Sequence, residues 1–177
     1  AGKHRITLLA FGKADVAADE RLHQLCERVI FVERSLARTA VSALRSILSN
    51  RPLQVEAFNS SAMRVLLDSC IAVGHFDLVH IQLVRLGELV LASQRSIPTI
   101  LDFVDALSVN MQRRADLDRW PLSAVARREA KLLASYEQKL LSRITAGCVS
   151  SPIDRKALGS EQKLTQTNNG VDQPRFP

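Results

Sequence analysis

Two short runs, Phe76-Asp77-Leu78-Val79-His80-Ile81-Gln82 and Thr99–Phe103, flank a helix-compatible stretch from Leu86 to Ser93. The runs are apolar on both faces of an extended chain. Strands of that kind need cover on both sides, and parallel neighbours need a long crossover, usually a helix. This unit constrains the fold more than any other stretch. It predicts an α/β class with an open, doubly wound and mainly parallel sheet.

The alternation extends along the chain. Ile6–Phe11 and Arg28–Val32 are apolar runs on either side of a helical stretch, Asp19–Glu27, with Leu22, Leu25 and Cys26 on one face. Thr39–Leu48 carries the helical period through Val41, Leu44, Ile47 and Leu48, and Asn50-Arg51-Pro52 ends it, because proline disfavours helical geometry in the residue before it. Leu53–Phe58 reads as a strand. Ser60 or Ser61 is a fitting N-cap for a helix over Ala62–Val73, with Gly74 as its stop. Further helices are expected over Ala106–Asp116 and from Ser123 to Ile144, the second preceded by Pro121. Gly147–Ser151 reads as a short strand and turn, and Ile153–Leu158 as a helix stopped by Gly159. Residues 1–159 are expected to form one domain. Residues 160–177, polar and rich in Asn, Gln and Pro, read as an exit segment with a weak strand at Lys163–Thr167.

Composition narrows the function classes. An apolar fraction of 46% and a charged fraction of 24% are ordinary for a globular protein. Cys26, Cys70 and Cys148 are odd in number and far apart, which argues against a disulfide framework and for a reducing, cytoplasmic compartment. The net charge is +6, and Arg113, Arg114, Arg119, Arg127, Arg128 and Lys131 are concentrated in one helical region. That cluster is either a solvated helix face or a surface attracted to anionic lipid. With one Trp and one Tyr there is little to stack on bases, so nucleic acid is not an expected partner.

In open parallel sheets, ligands bind beyond the carboxyl ends of the strands. The candidates are then Gly12 and Lys13 after the first strand, Gln82 and Arg85 after the Asp77–Gln82 strand, Asp102, Asp105 and Asn110 after the Thr99 strand, and Ser150 and Ser151 after the last. Each has a plainer reading beside the functional one. Asp102 is structurally paired or catalytic, and Asp105 caps the following helix or meets a ligand. His80 is a satisfied core histidine or a functional one, and Arg85 grips an anion or lies on the surface. The sequence contains no G-x-x-x-x-G-K-S/T loop, no G-x-G-x-x-G, no G-x-S-x-G elbow and no histidine spacing for a metal.

From His4 to Phe176 the order of segments resembles the N-terminal, acceptor-side domain of family-4-type, GT-B-fold glycosyltransferases, closest to bacterial exopolysaccharide- and exosortase-associated sugar transferases. The phrases that carry it are His4–Phe11, Arg51–Val55, Phe76–Arg85, Leu101–Ser108, Tyr136-Glu137, Ser150–Leu158, and Asn169-Gly170-Val171-Asp172 with Arg175-Phe176. The resemblance implies a Rossmann-like fold and retaining transfer of a sugar from a nucleotide-sugar donor to a polysaccharide or lipid-linked acceptor, without a cofactor or essential metal. It also implies a C-terminal donor domain beyond this chain, and an inactive fragment without it. Asp105 and Asp102 take the catalytic positions, and Gly12, Gln82, Arg85, Asn110 and Ser150 the substrate-binding ones. Two departures stand out. Val104 occupies the place of the family's histidine, ahead of Asp105. The family's first strand and Gly-rich loop are expected to be lacking. The resulting expectation is a cytoplasmic hexosyltransferase part, peripheral on the inner face of the membrane. The alternative is a non-catalytic α/β module that binds a small ligand or a partner.

Overall fold

A computed structural model describes residues 3–13, 16–33, 45–46, 49–92, 97–159 and 162–167. The described residues fall into two compact units, one drawn from Ala1–Ser42 and Ser60–His75, the other from Ala43–Asn59 and Phe76–Pro177. All strand pairs are parallel, and the α/β class expected from the apolar runs is the class observed.

In the first unit, β1 (Thr7–Phe11) and β2 (Arg28–Val32) pair in register from Thr7–Arg28 to Phe11–Val32, with α1 (Val16–Leu25) as the crossover. Arg5 holds Glu27 in a bidentate pair, both bonds 2.7 Å long, where the chain enters the two strands. The Arg5 guanidinium keeps the Glu27 carboxyl below the usual carboxylate range. The helix over Ser61–Val73 starts as the sequence predicts. The Ser60 hydroxyl accepts the Met63 amide at 3.3 Å, and Gly74 closes the helix in an extended conformation.

The second unit carries a four-stranded sheet in sequential order. Its strands are β3 (Val79–Gln82), β4 (Thr99–Val104), β5 (Ala146–Val149) and β6 (Leu164–Gln166). The helical elements are α2 (Leu53–Glu56), α3 (the Ser61–Val73 helix of the first unit), α4 (Glu88–Leu91), α5 (Leu107–Leu117), α6 (Leu122–Arg143) and α7 (Pro152–Leu158), with a 3₁₀ turn at Val84–Leu86. In sequential parallel order, right-handed crossovers bring every connecting helix to one face of the sheet. The core fits this: Ile81, Leu101, Phe103, Val149 and Leu164 from that face meet Leu133, Tyr136, Leu140 and Leu141 of α6 and Leu158 of α7. Burying each of the larger of these side chains stabilises the unit by about 1.5–3 kcal/mol. On the opposite face, His80 and Gln82 are exposed, and Ile100, Asp102, Ala146 and Cys148 are half-buried.

The expected strand over Leu53–Phe58 is overturned. These residues start as helix α2, because the Glu129 carboxylate on α6 accepts the amides of Leu53 at 2.9 Å and Gln54 at 3.0 Å. That remote carboxylate satisfies donors that a helix start leaves open. The expected helix over Leu86–Ser93 is shorter and irregular, a 3₁₀ turn followed by α4. Most of the expected Thr39–Leu48 helix lies outside the described residues.

The polar rim of the four-stranded sheet as a candidate functional site

β4 does not simply run out at its carboxyl end. Val104 has φ +61°, and the Asp105 amide donates to the Phe103 carbonyl across it at 2.7 Å. This is a three-residue γ-turn of the rare positive-φ kind, which is strained, and for a β-branched residue a genuine outlier. The ladder slips there, from Asp102 opposite Cys148 to Val104 opposite Val149. The Asp102 carboxylate braces the bend by accepting the Val104 amide at 2.9 Å. From the next strand, Ser150 donates its amide to the Val104 carbonyl at 2.8 Å and its hydroxyl to Asp105 Oδ1 at 3.0 Å. A second positive φ, +76° at Leu83, ends β3 beside it, and the Leu83 amide donates to the Asp102 carbonyl at 2.8 Å. Strain of this order, about 1–3 kcal/mol per residue, persists only where the surroundings over-determine it, and it clusters at functional sites.

Asp105 is not a helix cap, contrary to one of the readings drawn from the sequence. The start of α5 is held from outside. The Ala106 amide donates to Asp154 Oδ1 of α7 at 3.1 Å. The Ser108 amide and hydroxyl donate to Glu137 of α6 at 3.1 and 2.5 Å. Asp154 is itself positioned by Ser151, which caps α7 and donates its hydroxyl to Asp154 Oδ2. With capping taken over by two buried carboxylates, Asp105 turns along the rim, with the Ser150 hydroxyl as its hydrogen-bonding neighbour.

Gln82 and Asp102 are register partners on adjacent parallel strands, so their side chains emerge on the same face, and Cys148 follows Asp102 there. Burial pushes the Cys148 thiol up, and the Asp102 charge adds to it. The rim therefore unites Gln82, Asp102, Asp105 and Ser150. The Arg85 Nε donates to Gln54 Oε1 at 3.1 Å, and its guanidinium lies 5.7 Å from the Phe58 ring centroid. It is engaged with the α2 segment and not with the carboxylates. Asn110 sits in the first turns of α5, half-buried, its amide bonded to the Ala106 carbonyl at 3.2 Å. His80 is exposed, so the core-histidine reading is overturned. Gly12 ends β1 in the first unit, its amide donating to Val32 at 3.2 Å. Among the described residues no group of three or more His, Cys, Asp or Glu side chains is placed to hold a metal.

No protein-family model and no curated protein matches this chain.

The site therefore rests on its geometry. It gathers two carboxylates, an amide and a hydroxyl, all half-buried or exposed, on a backbone fixed by strain and by buried anchors. Such a set accepts and donates hydrogen bonds at several points along one edge without any cationic side chain among these four. Sequence reasoning had no signal for the two positive-φ positions. It did have one for Glu137, a carboxylate set among Leu133, Tyr136, Leu140 and Leu141 on the apolar face of a long helix.

Proposed function

We propose that this chain is the acceptor-side, Rossmann-like half of a retaining glycosyltransferase. In this reading it works in the cytoplasm, peripheral on the inner face of the membrane, on a polysaccharide or lipid-linked acceptor. What supports the reading most is the strained turn at Val104, which withdraws Asp105 from capping and leaves its carboxylate on the rim beside Ser150. Carboxylates, amides and hydroxyls are the groups that read sugar hydroxyls, because each accepts or donates in a fixed direction. The order of sequence phrases from His4 to Phe176 supports the same class. No described helix is long and apolar enough to cross a membrane, which is compatible with peripheral attachment.

In this reading Asp105 and Asp102 accept hydrogen bonds from sugar hydroxyls, while Gln82, Ser150 and Asn110 line the approach. The nucleotide of the donor is held by a second Rossmann-like domain. Transfer breaks the bond between the anomeric carbon and the nucleotide phosphate and forms one to an acceptor hydroxyl oxygen on the same face, and the hydroxyl's proton leaves with the departing phosphate. By itself the chain is expected to bind acceptor sugar weakly and to transfer nothing. The test is ¹⁵N NMR titration of the chain with acceptor-type glycans, read beside an Asp105→Asn variant. Shifts centred on Gln82, Asp105 and Ser150 that vanish in the variant support the proposal. Shifts confined to other elements, or turnover by the isolated chain, overturn it.

A further inference from the structure

The α5–α6 connection exposes more apolar surface than any other short described segment of the second unit. Leu117, in the last turn of α5, is 84% exposed, and Trp120 in the connection is 82% exposed. Leu122 and Val125, in the first turn of α6, are 61% and 58% exposed, and Pro121 lies between them and Trp120. Exposures this high belong to side chains that protrude from the surface. Nothing in the local fold demands apolar residues there. Asp118 ends α5 through a backbone bond to Arg114, and the hairpin is held by buried residues further along, among them Ala115, Ala126, Glu129 and Ala130. Contiguous exposed apolar residues of this size mark an interaction surface.

The charge around the tip selects the partner. Arg113, Arg119, Arg127 and Lys131 are exposed on the same two helices and their connection. Arg114 pairs with Asp118 at 3.5 Å, and Arg128 donates to Ser46 and Asn50. Of the three acidic residues between Arg113 and Lys131, Asp118 is in that pair. Asp116 accepts from Gln112, and Glu129 is buried against α2. A protruding apolar tip with a tryptophan, in a stretch where six arginines and lysines outnumber three acidic residues, has the composition of a surface that enters the headgroup layer of an anionic bilayer. A protein partner would instead need a cavity shaped to the tip and lined with acid.

We infer that the α5–α6 tip inserts Leu117, Trp120 and Leu122 into the interface of a membrane carrying anionic lipid, with Arg113, Arg119, Arg127 and Lys131 on the headgroups. This deepens the peripheral-membrane part of the function proposed above and rests on it. It does not depend on what the sheet rim binds.

Trp120 is the sole tryptophan, so it reports its own environment. The chain is mixed with phosphatidylcholine vesicles, with and without phosphatidylglycerol, and both sedimentation and emission are followed. On anionic vesicles the emission is expected to move to shorter wavelength and to be quenched by lipids brominated on their acyl chains. Replacing Arg127 and Lys131 by Gln should weaken binding about fivefold per residue. Leu117→Ser with Leu122→Ser keeps the reporter on a folded surface and should abolish the shift, with circular dichroism unchanged. Sedimentation with unchanged emission overturns the insertion while leaving the membrane reading intact. Indifference to anionic lipid overturns both. A shift that grows with protein concentration in the absence of lipid assigns the tip to self-association and also overturns the insertion.

Discussion

Glu137 grips Ser108 by both of its polar groups, accepting the amide at 3.1 Å and the hydroxyl at 2.5 Å. The glutamate is 1% exposed, and burial is the main reason its carboxyl titrates above the usual carboxylate range. The bonds from Ser108 and the Leu107 amide oppose that rise, and the nearby Asp154 charge adds to it. A carboxyl whose folded pKa lies above its unfolded value binds the extra proton in the folded state. The contribution of this group to stability is then greatest below the unfolded value, about 4.3, and is lost as pH rises from there through the raised value.

The first prediction follows. Glu137→Gln keeps an acceptor for the Ser108 amide and removes the titration, so the fall in melting temperature above about pH 4.3 should flatten. Glu137→Ala instead strands a buried amide and should cost about 1–3 kcal/mol at every pH. Thermal melts across the acid range measure both. A Glu137→Gln variant whose melting temperature follows the same pH dependence as the wild type would remove the argument.

Val104 provides the second prediction. A β-branched residue at φ +61° is strained by about 1–3 kcal/mol, and glycine adopts that backbone freely. Val104→Gly should therefore leave stability unchanged or raise it by about 1 kcal/mol. Val149 is 0% exposed on the neighbouring strand, and Val149→Gly should cost about 2–4 kcal/mol. Urea midpoints separate the two outcomes, and equal losses would mean that the turn is not strained.

These two residues also mark how far sequence alone reaches. The ends of β2, β4 and α7 are close to where the sequence puts them, since apolar runs and Gly159, left-handed at φ +71°, are local signals. The rim residues Gln82, Asp102, Asp105 and Ser150 were legible too, because they follow directly from strand ends. What could not be read was long-range. Leu53–Glu56 is helical because a glutamate 76 residues away accepts the Leu53 amide. Arg85 donates its Nε to Gln54, 31 residues earlier, a partner no local pattern announces. In both cases the partner is one that only the folded chain supplies.

A third prediction concerns close packing under the long helix. A Cβ built on Gly87 would lie 2.6 and 2.7 Å from the two methyl carbons of Leu140 and 2.8 Å from the Tyr136 hydroxyl. Leu140 is fully buried, and the Tyr136 hydroxyl donates to Glu88 at 3.1 Å, which leaves neither side chain room to yield cheaply. Gly87→Ala should cost about 1–3 kcal/mol, the range for overpacking a core. Denaturation of the variant checks it, and a neutral result would mean that the α4–α6 contact repacks freely.

Asp105 and Asp154 allow the sharpest separation of structural from functional carboxylates. Both stand near the start of α5, and by residue type Asp105 is the natural cap. The hydrogen bonds assign the work otherwise: Asp154 receives the Ala106 amide and Ser151, whereas Asp105 receives the Ser150 hydroxyl at the half-buried rim. Asp154→Ala should therefore cost about 1–3 kcal/mol, as a buried amide and hydroxyl lose their acceptor. Asp105→Ala should cost less than about 1 kcal/mol, the worth of one partly solvated hydrogen bond. If Asp105 serves a sugar, the same substitution abolishes glycan-induced NMR shifts in a chain that melts almost normally. Should Asp105→Ala instead destabilise as much as Asp154→Ala, the carboxylate is structural, and the case for a sugar site at this rim falls with it.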